Sequence, residues 1–201
     1  MNRHGSLQET RAFFASRAPG WESRYPDDTP QYERAVRELA PPFAGHALDL
    51  GCGSGRALPI LRNAVGPRGR VIGIDATDEM LAEATRLGRH EHAALLLGGA
   101  ADLPLAGASI DVIFAAGLLP HLPDPVAGLS ELARVTRPGA RLAIFHPIGR
   151  VALAARHGNV PSDDDAIAPQ RLRGLLKQAG WTLESIDDAA DRYLALAVRR
   201  A

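Results

Sequence analysis

The run Leu48-Asp49-Leu50-Gly51-Cys52-Gly53-Ser54-Gly55 constrains this chain more than any other stretch. Ala47 to Leu50 is apolar except for one carboxylate, and three alternating glycines follow it. That pattern predicts a buried strand entering a turn too tight for side chains. Residues 56–64 then read as a helix, and Arg70 to Ile74 as a second strand that ends at Asp75. Strand, glycine turn, helix and acid-ended strand make a parallel unit able to hold a nucleoside. The turn lets a ligand approach the backbone, and the second acid can take the ribose hydroxyls.

The spacing narrows the ligand. A dinucleotide fingerprint needs its third glycine at position 56, and Arg56 stands there. The spacing is G-x-G-x-G instead. No Gly-Lys-Ser/Thr follows, so the loop is not a phosphate-cradling P-loop. Asp49, just ahead of the glycines, opposes a pyrophosphate and suits a ligand with positive charge.

The rest of the chain repeats the alternation. Ala93 to Leu97, Ile110 to Ala115 and Arg141 to Phe145 read as three more strands. Thr77 is placed to cap a helix carrying Met80, Leu81, Ala84 and Leu87. Asp124 and Pro125 open a helix with Val126, Leu129, Leu132 and Ala133 inward, and Pro138-Gly139 closes it with a turn. Residues 147–168 read as irregular. Pro169 starts a helix that Gly180 ends. Trp181 to Ile186 and Tyr193 to Val198 form a final strand pair with no helix between them, so they should run antiparallel. Apolar strands alternating with helices imply an α/β fold, a parallel sheet covered on both faces. Ahead of it, Leu7, Phe13 and Phe14 suggest a short helix. Residues 19–30 read as a loop, and Tyr32, Ala35, Val36 and Leu39 as a helix stopped by Pro41-Pro42.

Composition excludes some classes. The formal net charge is zero, which argues against nucleic acid as the main partner. All but one of the 23 basic residues are arginine, which fits a compositional bias. Cys52 is the single cysteine, so no disulfide forms within the chain and a cytoplasmic location is expected. No signal peptide and no membrane span are read from the sequence. No histidine, cysteine or carboxylate cluster has metal spacing, so no metal is expected.

In order along the chain, these motifs resemble the class I S-adenosylmethionine-dependent methyltransferases. Leu48 to Gly55 is similar to the family's first motif, and Val71-Ile72-Gly73-Ile74-Asp75 to its second strand with the ribose-binding acid. Gly99-Ala100-Ala101-Asp102-Leu103-Pro104 resembles the segment whose acid meets the adenine amine. Ser109 to Ile113 and Arg134 to Ala140 resemble the fourth strand and the turn before the fifth. The subgroup with this pattern includes small-molecule enzymes of ubiquinone and menaquinone biosynthesis. The resemblance implies a Rossmann-like, doubly wound seven-stranded sheet, mostly parallel with an antiparallel C-terminal strand and helices on both faces. It also implies one domain over residues 1–201, with residues 1–44 as a helical lid on a 45–201 core. S-adenosylmethionine is the expected cofactor and S-adenosylhomocysteine its product.

The expected cofactor site comprises Asp49, Gly51, Cys52, Gly53, Gly55, Asp75, Ala76, Met80, Ala101, Asp102, Leu103, Ala116 and Gly117. Asp75 can accept from both ribose hydroxyls, and Asp102 from the exocyclic amine. Asp102 also reads as a turn cap before Leu103-Pro104, and Cys52 as a small apolar filler. His121 and His146 follow the fourth and fifth strands, at the sheet edge where ligands bind in open α/β folds. They are the candidate bases, because histidine titrates near neutral pH. Each also reads as a packed lining residue. Phe14, Trp21, Tyr25 and Tyr32, with the two histidines, are the expected substrate cover, or else packing aromatics. No Asn-Pro-Pro-Tyr-like motif follows the fourth strand, where Ala115-Ala116-Gly117-Leu118 stands. That argues against amide or nucleobase nitrogen as acceptor.

The expectation is methyl transfer to a small, largely apolar molecule at oxygen, carbon or nitrogen, by a monomer or homodimer. A silent cofactor-binding module keeps the same residues. A nicotinamide oxidoreductase conflicts with the glycine spacing and Asp49.

Overall fold

Most strands form where apolar residues run with little polar interruption. In the computed structural model, which describes residues 6–24 and 28–200, seven of them make one sheet. They are β1 (His46–Leu50), β2 (Arg70–Asp75), β3 (Ala94–Leu97), β4 (Ile110–Ala116), β5 (Thr136–His146), β6 (Trp181–Ala189) and β7 (Arg192–Arg199). Their order is β3-β2-β1-β4-β5-β7-β6. β1 to β5 pair in parallel, and β7 lies antiparallel between β5 and β6.

Three helices precede the sheet: α1 (Leu7–Ala15), α2 (Trp21–Arg24) and α3 (Thr29–Leu39). Ser6 and Glu9 form a reciprocal capping box on α1. Ala40 ends α3 in the left-handed region, directly before Pro41-Pro42. The remaining helices are α4 (Leu58–Val65), α5 (Asp78–Arg86), α6 (Pro125–Val135), α7 (Arg150–Arg156) and α8 (Pro169–Gln178). No described helix is long and apolar enough to cross a membrane.

Alternate residues along each strand serve opposite faces. Leu48, Leu50, Ile113, Leu142 and Ile144 pack with Leu129 and Leu132 of α6 and Leu172, Leu175 and Leu176 of α8. Trp181 is buried there and donates its indole N–H to the Leu129 carbonyl at 2.9 Å. Ala47, Val112, Phe114, Ala143 and Phe145 face the other way, onto α3 and α4. Each fully buried leucine contributes about 1.5–3 kcal/mol. Since α4 follows β1 on one face and α6 follows β4 on the other, a crevice opens at the carboxyl ends of β1 and β4. Ligands of open α/β sheets bind at such a switch point.

Four expectations change. Pro138-Gly139 does not separate α6 from the fifth strand, because β5 begins at Thr136. Thr136 pairs with Ile110 and Arg141 with Val112, so the turn bulges out inside one ladder, with Gly139 at φ 79°. Residues 147–168 are not wholly irregular, since α7 lies within them. Thr77 makes no side-chain capping bond; the Asp75 carboxylate takes the Thr77 N–H instead. The 19–30 loop includes the single helical turn α2.

Candidate active site

The glycine loop is tied down before it meets anything else. The N–H groups of Gly51 and Cys52 both donate to the Ile74 carbonyl, at 2.8 and 3.1 Å, folding the loop across the end of β2. Gly53 has φ 55°, and its own N–H donates to Asp75 Oδ2 at 2.8 Å. A Cβ on Gly53 would meet only Met80 Sδ, at 4.0 Å, so the loop presents bare backbone on that side. Gly55, at φ 82°, has no such space: a Cβ there would stand 2.8 Å from Leu58 Cδ1 and 3.0 Å from Arg89.

Asp75 is fixed at both oxygens. Oδ2 accepts from Gly53, and Oδ1 accepts from the Thr77 N–H at 2.8 Å. Each carboxylate oxygen has a second lone pair, so ligand hydroxyls can still bind. Burial raises its pKa, and these backbone bonds counter part of the rise. Asp49, on the neighbouring strand, is 2% exposed. Burial first, and then the charge of Asp75, push its pKa up to about 8. A buried carboxyl with no cation among its described neighbours is a site complementary to positive charge. Cys52 is a buried thiol pushed well up by burial and by the two nearby acids, as suits a packing residue.

The other expected cofactor residues spread over the same edge. Met80 is buried beside Gly53, and Ala76 follows Asp75. Ala116 ends β4 and Gly117 follows it, both half-buried, and the Gly117 N–H donates to the Phe145 carbonyl at 2.8 Å. Leu103 is buried, with its N–H on Glu131 Oε1 at 2.8 Å. Ala101 and Asp102 are exposed, and Asp102 adds to the negative field on Arg134.

Of the expected cover residues, Phe14, Trp21 and His121 come together. The Phe14 ring meets His121 edge-on at 5.1 Å and Trp21 at 5.8 Å. Tyr32 packs its ring 5.8 Å from Phe114 and 4.8 Å from Phe145, on the face packed by α3, and lies in the field of Arg56, Asp49, Asp28 and Glu22 beside the glycine loop. Tyr25 lies outside the described residues. His146 ends β5 beside Gly117, and Gly117, Leu119, Ile144, Leu153 and Tyr193 line a narrow cavity with it. Burial lowers the pKa of His121, and that of His146 to about 4, so both rings are neutral at neutral pH.

Sequence reasoning missed the charges that fasten α2 to the glycine loop. Glu22 accepts from Ser54 Oγ and pairs with Arg56 at 2.7 Å, and Asp28 pairs with Arg56 at 3.4 Å. The signal was present as acids at 22 and 28 and an arginine just behind the glycines, but it spans more than thirty residues with no local pattern. Among the described residues, no histidine, cysteine or carboxylate group could hold a metal ion.

A sheet of this order, with an acid on each of two adjacent strand ends and a glycine loop between them, defines a nucleoside-binding α/β protein. A methyltransferase-domain family model matches residues 48–144. The chain is 30% identical over 201 residues to demethylmenaquinone methyltransferase of Roseiflexus, covering 84% of this chain and 83% of that protein. It is 30% identical over 183 residues to the O-methyltransferase cnsE of Penicillium expansum, covering 84% of this chain and 65% of that protein. It spans only 30% of a 37.1 kDa Streptomyces fradiae protein. A solved S-adenosylmethionine-dependent methyltransferase from Aquifex aeolicus superimposes with TM-score 0.70 at 26% identity, covering 83% of this chain and 88% of that one. The chain belongs to the class I S-adenosylmethionine-dependent methyltransferases.

Proposed function

We propose that the protein moves the methyl group of S-adenosylmethionine to a small, largely apolar molecule held under α1 and α2. One observation carries this reading: Asp49 and Asp75 converge on a glycine loop whose Gly53 face is bare. The residues fit the cofactor. Asp75 would accept from the ribose hydroxyls, and Asp49 would face the cationic methionine end. Gly53 leaves room for the chain of the ligand, with Met80 beside the adenine. Asp102 is exposed and would have to turn inward to reach the exocyclic amine. Ala116 and Gly117 are small enough not to obstruct the site.

When bound, the cofactor supplies a methyl group on a sulfonium, a good leaving group. The chain's task is then alignment and exclusion of water. Phe14, Trp21 and His121 form the apolar cover, and Glu22 fastens it to the loop through Ser54 and Arg56. His121 is neutral and can accept a proton from an acidic acceptor. Relatives named for demethylmenaquinone and for O-methylation support a small acceptor.

Incubation with methyl-labelled S-adenosylmethionine and an apolar cell extract tests the reading. A labelled small molecule, with equimolar S-adenosylhomocysteine, is expected. Binding of the cofactor with no labelled product from any fraction would contradict it and leave a binding module.

A further inference from the structure

His146 is the last residue of β5, and Pro147 follows it. Proline fixes its own φ and helps turn the chain back. The Ile148 N–H thereby donates to His146 Nδ1 at 3.3 Å. A backbone N–H can only donate. Nδ1 must therefore keep its lone pair, and in the neutral ring the proton sits on Nε2. Burial, reinforced by the nearby Arg156 charge, keeps the ring neutral well below pH 7.

The free edge of the ring faces Gly117. Cδ2, the atom bonded to Nε2, lies 3.9 Å from where a Cβ on Gly117 would stand. Gly117 directly follows β4 and lines the same cavity as His146. No described residue accepts a hydrogen bond from Nε2. The rest of the lining is Leu118, Leu119, Pro120, Ile144, Leu153 and Ile167, with Phe145 and Tyr193. The Tyr193 hydroxyl is already committed to the Ile167 carbonyl at 2.8 Å. This apolar cavity has room for about one water-sized group, so a single oxygen atom of a ligand can enter it, and the Nε2–H is the side-chain donor left for that atom.

We propose that His146 is a specificity-determining hydrogen-bond donor, and not a base: its Nε2–H selects an acceptor molecule carrying a lone-pair oxygen. This rests on the methyl-transfer reading. It separates the two histidines, since no hydrogen bond fixes either ring nitrogen of His121 among the described residues.

The test uses 1-naphthol and its isostere 1-methylnaphthalene, titrated into the protein saturated with S-adenosylhomocysteine. One hydrogen bond in an apolar cavity predicts about tenfold tighter binding of the naphthol. The preference should vanish in His146→Phe and persist in His146→Gln, which keeps a donor. Nitrogen-15 spectra of labelled histidine should show His146 as the neutral Nε2–H tautomer from about pH 5.5 to 8, the range in which an unperturbed ring titrates. Equal binding of the two probes, a preference unchanged in His146→Phe, or an Nδ1–H tautomer would overturn the inference. Failure of S-adenosylhomocysteine itself to bind would overturn the methyl-transfer reading, and this inference with it. Intact binding without naphthol preference overturns this inference alone.

Discussion

Asp49 should make the protein less stable as the pH rises, and Asp49→Asn should remove that dependence. The carboxyl is 2% exposed, and burial with the Asp75 charge raises its pKa from 3.8 to about 8. The folded chain therefore holds this proton where the unfolded chain has lost it. The cost is absent below about pH 4, grows as pH rises, and is complete above about pH 8. At about 1.4 kcal/mol per pH unit, the wild type loses on the order of 2–3 kcal/mol between about pH 5 and pH 7 through this group alone. The amide introduced by the substitution has nearly the same shape as the carboxyl and no charge, so the variant lacks that term. Urea unfolding of both proteins across this range measures the difference directly. The variant should gain on the wild type steadily as pH rises. Parallel stability curves for the two proteins would refute the reasoning. The same substitution should weaken S-adenosylmethionine binding above about pH 8, where the Asp49 carboxyl ionises, because the amide cannot supply a negative charge to the cationic ligand. The residue thus trades stability for binding.

Glu22→Ala frees α2 from the glycine loop by removing the bonds to Ser54 and Arg56. A loss of about 1–3 kcal/mol is expected in urea unfolding, as for a hydrogen-bonded, half-buried charge. Stopped-flow dissociation of S-adenosylhomocysteine should also speed up, and an unchanged rate would separate α2 from ligand retention. Gly55→Ala must place a side chain at φ 82° and 2.8 Å from Leu58 Cδ1. It should cost about 1–3 kcal/mol of stability in thermal or urea unfolding, and a neutral effect would show that the loop can shift.

The parts of the molecule legible in the sequence are those whose cause is local. β1, β2 and β4 announce themselves because both faces of each strand are buried, and the glycine loop because a tight turn needs glycines. Asp49 and Asp75 are read with it, since each adjoins that loop in the chain or across one strand pair. The bulge at Pro138-Gly139 is not local: it depends on Thr136 pairing with Ile110, a contact between strands. α7 is seven residues long with Val151 70% exposed, too short and too weakly amphipathic for periodicity to show it. The Glu22–Arg56 pair and the Phe14–His121 contact join segments distant in sequence. Residue type alone groups Tyr32 with the cover; its packing against Phe114 and Phe145, with Arg56 and Asp49 nearby, comes from α3 docking on the sheet and has no local signal.

The central claim is that Asp75 is the ribose acceptor of a bound S-adenosyl ligand. Calorimetric titration of wild type and Asp75→Ala with S-adenosylhomocysteine tests this most directly. The wild type should bind at about micromolar strength, near −8 kcal/mol, and the variant should lose about 1–3 kcal/mol. Urea unfolding of the variant serves as a check that it remains folded. No binding by the wild type, or equal affinity in a folded Asp75→Ala, would contradict the claim.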